Sequence, residues 1–296
     1  MNRRTFVKNS SLTAFSVAAL GSIHWNGKTF EGDSVTTTDI LGPFYRPGAP
    51  MRSNLIPKGS TGELLHVGGT IYDKDGKTPQ KDVLVEVWQC DEHEHYDNTS
   101  DEYLLRGAVR TDASGSYYFK TIVPVPYKAS PNQWRPAHIH FRVSSANHQD
   151  LITQIYFKGD DYLQSDPASA SSHAKDRILA IGKNSSGEKE VKFDVVMGDA
   201  FPLEPGAYKK ICGLYQMDNG KAEFYNEDDL LFVKLNGQLM EGMAYKGNNS
   251  FEGAIGYLKA VFEFTQSGET KVKIHSGRFT DFTKVTTHEG VKFLKY

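Results

Sequence analysis

The sequence predicts an all-β protein, a β-sandwich followed by a small β-rich accessory domain, and three observations carry that expectation. Between residues 64 and 197, short apolar runs alternate with Gly, Pro and Asp turns, the rhythm of a sandwich. Within this stretch Arg135-Pro136-Ala137-His138-Ile139-His140-Phe141 alternates in character. In a strand His138, His140 and Arg142 would share one face while Ile139, Phe141 and Val143 share the other. Beyond residue 206, hairpin signals at Asn219-Gly220, Asn236-Gly237 and Ser267-Gly268 separate further apolar runs.

Taken in order, residues 1–30 resemble a bacterial twin-arginine export signal. Arg3, Arg4, Phe6 and Lys8 fit the usual arrangement, with Asn2 where Ser or Thr is commoner, and residues 12–20 are apolar but too few to span a bilayer. The expected address is the periplasm, with no membrane span. No Cys follows the apolar stretch, which argues against a lipid anchor.

Residues 31–200 form the expected sandwich. Thr, Pro and Gly over 34–57 imply an extended arm. Strands are expected over 83–88 (VLVEVW), over 107–111 and 116–120 around the Asp112-Ala113-Ser114-Gly115 turn, and over 151–157 (LITQIYF). Small and polar residues predict a brief helical interruption over 168–181. The Pro and Gly of 198–206 read as a linker to the second unit, 206–296, whose clearest strands are 230–235 and 260–264. That unit shows no cluster of metal ligands, His275 and His288 being isolated, and the sequence assigns it no role.

Composition narrows the function. The 296 residues carry a net charge of −2, with lysines and arginines scattered, so no nucleic-acid partner is expected. Only Cys90 and Cys212 are present. That excludes a disulfide framework and a zinc site of three or four thiolates. One bridge could form, although a free, buried Cys90 beside Trp88 is the preferred reading.

The candidate metal donors are Tyr96, Tyr103, Tyr127, His138 and His140, with a second H-x-H pair at His93 and His95. Imidazole suits several transition metals, whereas phenolate is a hard, anionic oxygen donor that favours a hard, highly charged ion. Two histidines with two tyrosinates therefore point to Fe(III), non-haem, which can hold a tyrosine as phenolate well below its free pKa of about 10.

Several separate stretches then fall in one order. They are Gly42-Pro43-Phe44-Tyr45, Val85-Glu86-Val87-Trp88-Gln89, Arg110-Thr111-Asp112, Ile122-Val123-Pro124-Val125-Pro126-Tyr127, WRPAHIHF ending at Phe141, and LITQIYFKG ending at Gly159. In these, over roughly residues 36–197, the sequence resembles the intradiol ring-cleavage dioxygenases, most closely the protocatechuate 3,4-dioxygenase branch. The resemblance implies Tyr96, Tyr127, His138 and His140 as iron ligands, with Tyr96 preferred over Tyr103 by its spacing from Trp88. It implies catalytic roles for Arg135, Tyr96 and Gln154, and a tyrosinate that takes up a substrate proton. The implied reaction inserts O2 between the hydroxyl-bearing carbons of a protocatechuate-like or catechol-like aromatic diol to give a cis,cis-muconate. Many relatives pair homologous chains, so the resemblance allows a homo- or hetero-oligomer. Lys128, Arg106 and Arg46 are candidates for holding a ring carboxylate.

Two other readings stand beside this one. A non-catalytic exported β-sandwich could bind a ligand without turnover, and a zinc or copper site could use both H-x-H pairs with the tyrosines as bystanders. The His93-Glu94-His95 triplet beside Tyr96 is a departure from the family pattern.

Overall fold

A computed structural model describes residues 24–25, 30–31, 35–227, 229–254, 257–278 and 281–293. The expected export signal lies outside the described residues, apart from a two-residue ladder pairing His24–Trp25 with Phe30–Glu31. No helix among the described residues is long and apolar enough to cross a membrane.

The first half folds as two facing sheets. One orders its strands Arg106–Arg110, Leu84–Trp88, His138–Ser144, Leu151–Phe157 and Ile178–Leu179, antiparallel except for the last pair. The other is built on Leu64–Tyr72, which pairs antiparallel with Ser116–Ile122 and parallel with Lys189–Lys192 and Val195–Val196. Ile139, Phe141, Val143, Val85 and Ile155 of the first sheet meet Leu65, Val67, Ile71 and Phe119 of the second in one core. The apolar half of the period-2 pattern thus packs inward, as the alternation predicts. The expected helical interruption is a 3-10 turn, Ser172–Arg177.

The polar half does not face water. His138, His140 and Arg142 are each about 1% exposed, although one face of an antiparallel sheet is commonly solvated. Gly42, Trp88 and Tyr96 lie over the histidines, and Arg142 is covered by the second unit. Eight strands, Gly213–Met217, Gly220–Glu227, Leu230–Leu235, Gln238–Tyr245, Ser250–Glu252, Leu258–Phe264, Thr270–Arg278 and Asp281–Lys292, run as an antiparallel meander that closes into a barrel. A short helix, Ala207–Ile211, precedes them where the sequence reads as linker. Leu231 and Val233 point into the barrel core with Phe224, Phe251 and Phe262. Their neighbours Leu230 and Phe232 point outward onto Leu41, Tyr45, Trp88 and Ile152 of the sandwich. Arg142 reaches across the same boundary, to Glu227 Oε1 at 3.3 Å, while also pairing with Asp150 at 3.0 Å.

The barrel is therefore packed on the sandwich rather than standing apart from it. The Leu230-Leu231-Phe232-Val233 run carried that information, because a strand apolar on both faces is buried on both. It does not say which surface it meets.

Candidate metal centre

His138 and His140 alternate on one strand and so share its covered face. Their Nε2 atoms lie 3.1 Å apart. His138 Nδ1 is 2.6 Å from the Pro136 carbonyl, which can only accept, so the proton sits on Nδ1 and Nε2 keeps a lone pair. Tyr96 Oη comes within 3.2 Å of that Nε2. Tyr127 opens the Tyr127–Ser130 strand, and its ring centroid is 5.5 Å from both the His138 and the Tyr96 rings. The four predicted donors are thus brought together by one strand and the two segments beside it.

Packing fixes their orientation. Trp88 stacks on His140 with centroids 4.7 Å apart, and Phe44 stacks on Tyr96 at 4.3 Å. Gly42 adopts φ +74°, and a Cβ there would sit 3.4 Å from His140 Cε1, so the arm crosses the imidazole with its bare backbone. Phe44, Gly42 and Trp88 lie in the family-like stretches, yet their contacts with the donors could not be read from sequence.

Burial sets the electrostatics. Removal from water, reinforced by the Arg135 charge, holds both imidazoles well below their usual pKa, so they are neutral. Burial also raises the Tyr96 phenol well above its usual pKa, with the neighbouring Tyr127 adding to it. Tyr127 is raised by burial as well, against the opposing pull of the Arg135 guanidinium, with which it shares a hydrogen bond. Neutral lone-pair donors and phenols thus converge at a largely buried point where phenolate would need a compensating cation. The His140 Nδ1 atom is buried without a hydrogen-bond partner. This donor set fits a hard, multiply charged ion such as Fe(III).

Arg135 is buried beside these donors. It pairs with Asp166 at 3.2 Å and donates to Gln154 Oε1 at 2.9 Å and Tyr156 Oη at 3.1 Å. Gln154 in turn donates to the Ile40 carbonyl at 2.6 Å, and Tyr156 to Asp39 at 2.8 Å. Gln154 and Tyr156 sit opposite His140 and His138 in the ladder. Asp166 and Tyr156 escaped the sequence reading: Asp166 comes from an irregular segment, and Tyr156 looked like one more residue of an apolar strand.

A family model described as "Dioxygenase" matches residues 40–199, more than half of the chain. This chain belongs to the intradiol ring-cleavage dioxygenases. Over 158 residues it is 37% identical to a chlorocatechol 1,2-dioxygenase of Rhodococcus opacus, covering 46% of this chain and 61% of that one. It is 34% identical to the protocatechuate 3,4-dioxygenase beta chain of Burkholderia cepacia, covering 52% and 74% respectively. The solved 3-chlorocatechol 1,2-dioxygenase of Rhodococcus opacus 1CP superposes with a TM-score of 0.50 at 30% identity, covering 55% of this chain and 72% of that one. The chain spans less than two thirds of the first of these relatives. The barrel lies outside the matched residues.

In this intradiol dioxygenase family member a cavity of about 240 Å³ opens beside the donors, lined by Gly42, Phe44, Tyr127 and Arg135 from the sandwich and by Leu239, Met240 and Tyr257 from the barrel. Tyr96 instead lines a separate cavity of about 430 Å³ that includes His93 and His95. Both of those histidines are exposed, and His95 leans toward Asp91 at 3.9 Å. Tyr103 stands apart: its hydroxyl donates to the Pro47 carbonyl at 3.1 Å beneath the Arg46 guanidinium. The three basic candidates for a ring carboxylate are placed elsewhere. Arg106 is buried and bonded to the Phe44 and Asp97 carbonyls, Arg46 to the Ser100 carbonyl, and Lys128 is exposed. Cys90 and Cys212 are both free thiols.

Proposed function

We propose that this chain is a non-haem Fe(III) intradiol dioxygenase that cleaves a catechol-type ring between its two hydroxyl-bearing carbons, giving a cis,cis-muconate. The observation that carries the reading is the convergence of Tyr96 Oη and the Nε2 atoms of His138 and His140 through contacts of 3.1 and 3.2 Å, with Tyr127 alongside. Bound there, Fe(III) would supply a Lewis acid that lowers the pKa of a catechol's hydroxyls and engages the ring with O2.

The chain's own residues do the rest. His138 and His140, neutral through burial, present lone pairs rather than charge. Tyr127 lines the cavity and hydrogen-bonds Arg135, which places it better than Tyr96 to receive a hydroxyl proton at Oη. Arg135 holds a permanent positive charge against negative charge developing on the ring. Gln154 works through Arg135, fixing its guanidinium from the neighbouring strand. The names of the relatives, catechol-type and protocatechuate dioxygenases, support the same reaction class.

The test is the visible spectrum of the iron-loaded protein before and after anaerobic addition of catechol. A red-brown band that shifts on addition, followed by muconate formation once O2 is admitted, is expected. A colourless protein that retains no iron would overturn the reading in favour of a non-catalytic binding module.

A further inference from the structure

The barrel strand Gln238–Tyr245 breaks step where it meets the site. Its ladder with Leu230–Leu235 pairs Val233 with Glu241 but Lys234 with Leu239, so Met240 is an extra, bulged residue. Leu239 packs with Leu41, Tyr45 and Trp88 at the boundary and Met240 packs against the barrel core, and at the bulge both reach the rim of the cavity that holds Tyr127 and Arg135. Tyr257, from the adjoining part of the barrel, completes the same wall.

The barrel side of the cavity, Gln238, Leu239, Met240 and Tyr257, carries no charge, and what it faces offers no spare cation. Arg135 is the one charged side chain among the lining residues, and its guanidinium already faces Asp166 at 3.2 Å. Ile40, Pro43 and Phe44 line the sandwich side of the cavity with Ser130 and Gln133, whose polar groups carry no charge.

We propose that the C-terminal barrel supplies the substrate-selecting wall of this site, through Leu239 and Met240, and that it selects a catechol ring without a charged substituent. The inference rests on the ring-cleavage reading above. A ring carboxylate set against Leu239 and Met240 would lose its water with no counter-charge in return, whereas a hydrogen or an alkyl group there gains by burial. Both residues lie beyond the matched stretch 40–199, so substrate choice is set by a part of the chain that the family segment does not contain.

The test uses the full-length, iron-loaded protein. Anaerobic titrations followed by the visible band give Kd values for catechol, protocatechuate and 4-tert-butylcatechol. The wild type is expected to bind catechol about tenfold or more tighter than protocatechuate. Met240→Lys is expected to narrow that ratio by bringing an ammonium group to the wall, and Met240→Ala to improve tert-butylcatechol relative to catechol. Equal wild-type affinity for catechol and protocatechuate, or ratios unmoved in both variants, would overturn the proposal. The wild-type ratio decides the matter even where a variant does not fold. An absent band in the wild type sinks the ring-cleavage reading itself, whereas an intact band with unmoved ratios sinks only the selecting wall.

Discussion

Trp88 lies flat on His140, with ring centroids 4.7 Å apart and planes 7° from parallel. Trp88 is itself packed against Tyr45, which stacks on the barrel residue Phe232. The orientation of one candidate iron ligand is therefore set by a column of aromatic rings that ends in the barrel.

The backbone of Gly42 also meets His140. Gly42→Ala would have to hold an L-residue at φ +74°, a cost of about 1–2 kcal/mol, and would press a methyl group toward the imidazole. The expected outcome is a lower melting temperature together with weaker iron retention, measured by denaturation and by metal content after dialysis.

His140→Ala is expected to lose iron and with it the visible band and ring cleavage, whereas Tyr127→Phe should abolish ring cleavage and shift the band that Tyr96 still supplies. Tyr103→Phe should keep both, because that hydroxyl is engaged with Pro47. A colourless Tyr103→Phe protein would contradict the ligand assignment.

Asp166→Asn removes the carboxylate facing a fully buried Arg135. Breaking a buried pair from one side leaves the other charge uncompensated, a loss of about 3–5 kcal/mol. Urea unfolding should show it. A loss under about 1 kcal/mol, the range of exposed pairs, would mean the pair is more hydrated than its burial indicates.

Glu241 ties the two halves together. Its Oε1 accepts from the backbone N–H of Leu41 at 3.0 Å and of Gly242 at 3.0 Å, and burial raises its pKa from 4.5 to about 8. The folded state thus holds a proton that the unfolded state releases between those two values. Stability is expected to fall as pH rises from about 4.5 toward 8, in addition to the contributions of other groups. Glu241→Gln keeps the accepting oxygen and should flatten that slope. Parallel pH–stability curves for the two proteins would rule out this role.

Much of the donor face was legible because a strand's period of two leaves little freedom: once His138, His140 and Arg142 share a side, Ile139, Phe141 and Val143 must share the other. Turn chemistry was equally direct at Asn236-Gly237, where both residues take positive φ, 51° and 86°. What escaped was long-range or irregular. Asp166 reaches Arg135 from a segment without periodicity. The bulge at Met240 looks in sequence like any other step of a strand. The helix Ala207–Ile211 hides behind the Pro and Gly that precede it. The preference for Tyr96 over Tyr103 came from family likeness, since both are tyrosines in the same loop.

The barrel closes where Gly213–Met217 pairs with Asp281–Lys292, its last strand. During synthesis the sandwich leaves the ribosome first, and domains generally fold as they emerge. The rings of Tyr45, Trp88 and His140 are therefore all made before Phe232, and the column that orients this histidine gains its last member only with the barrel.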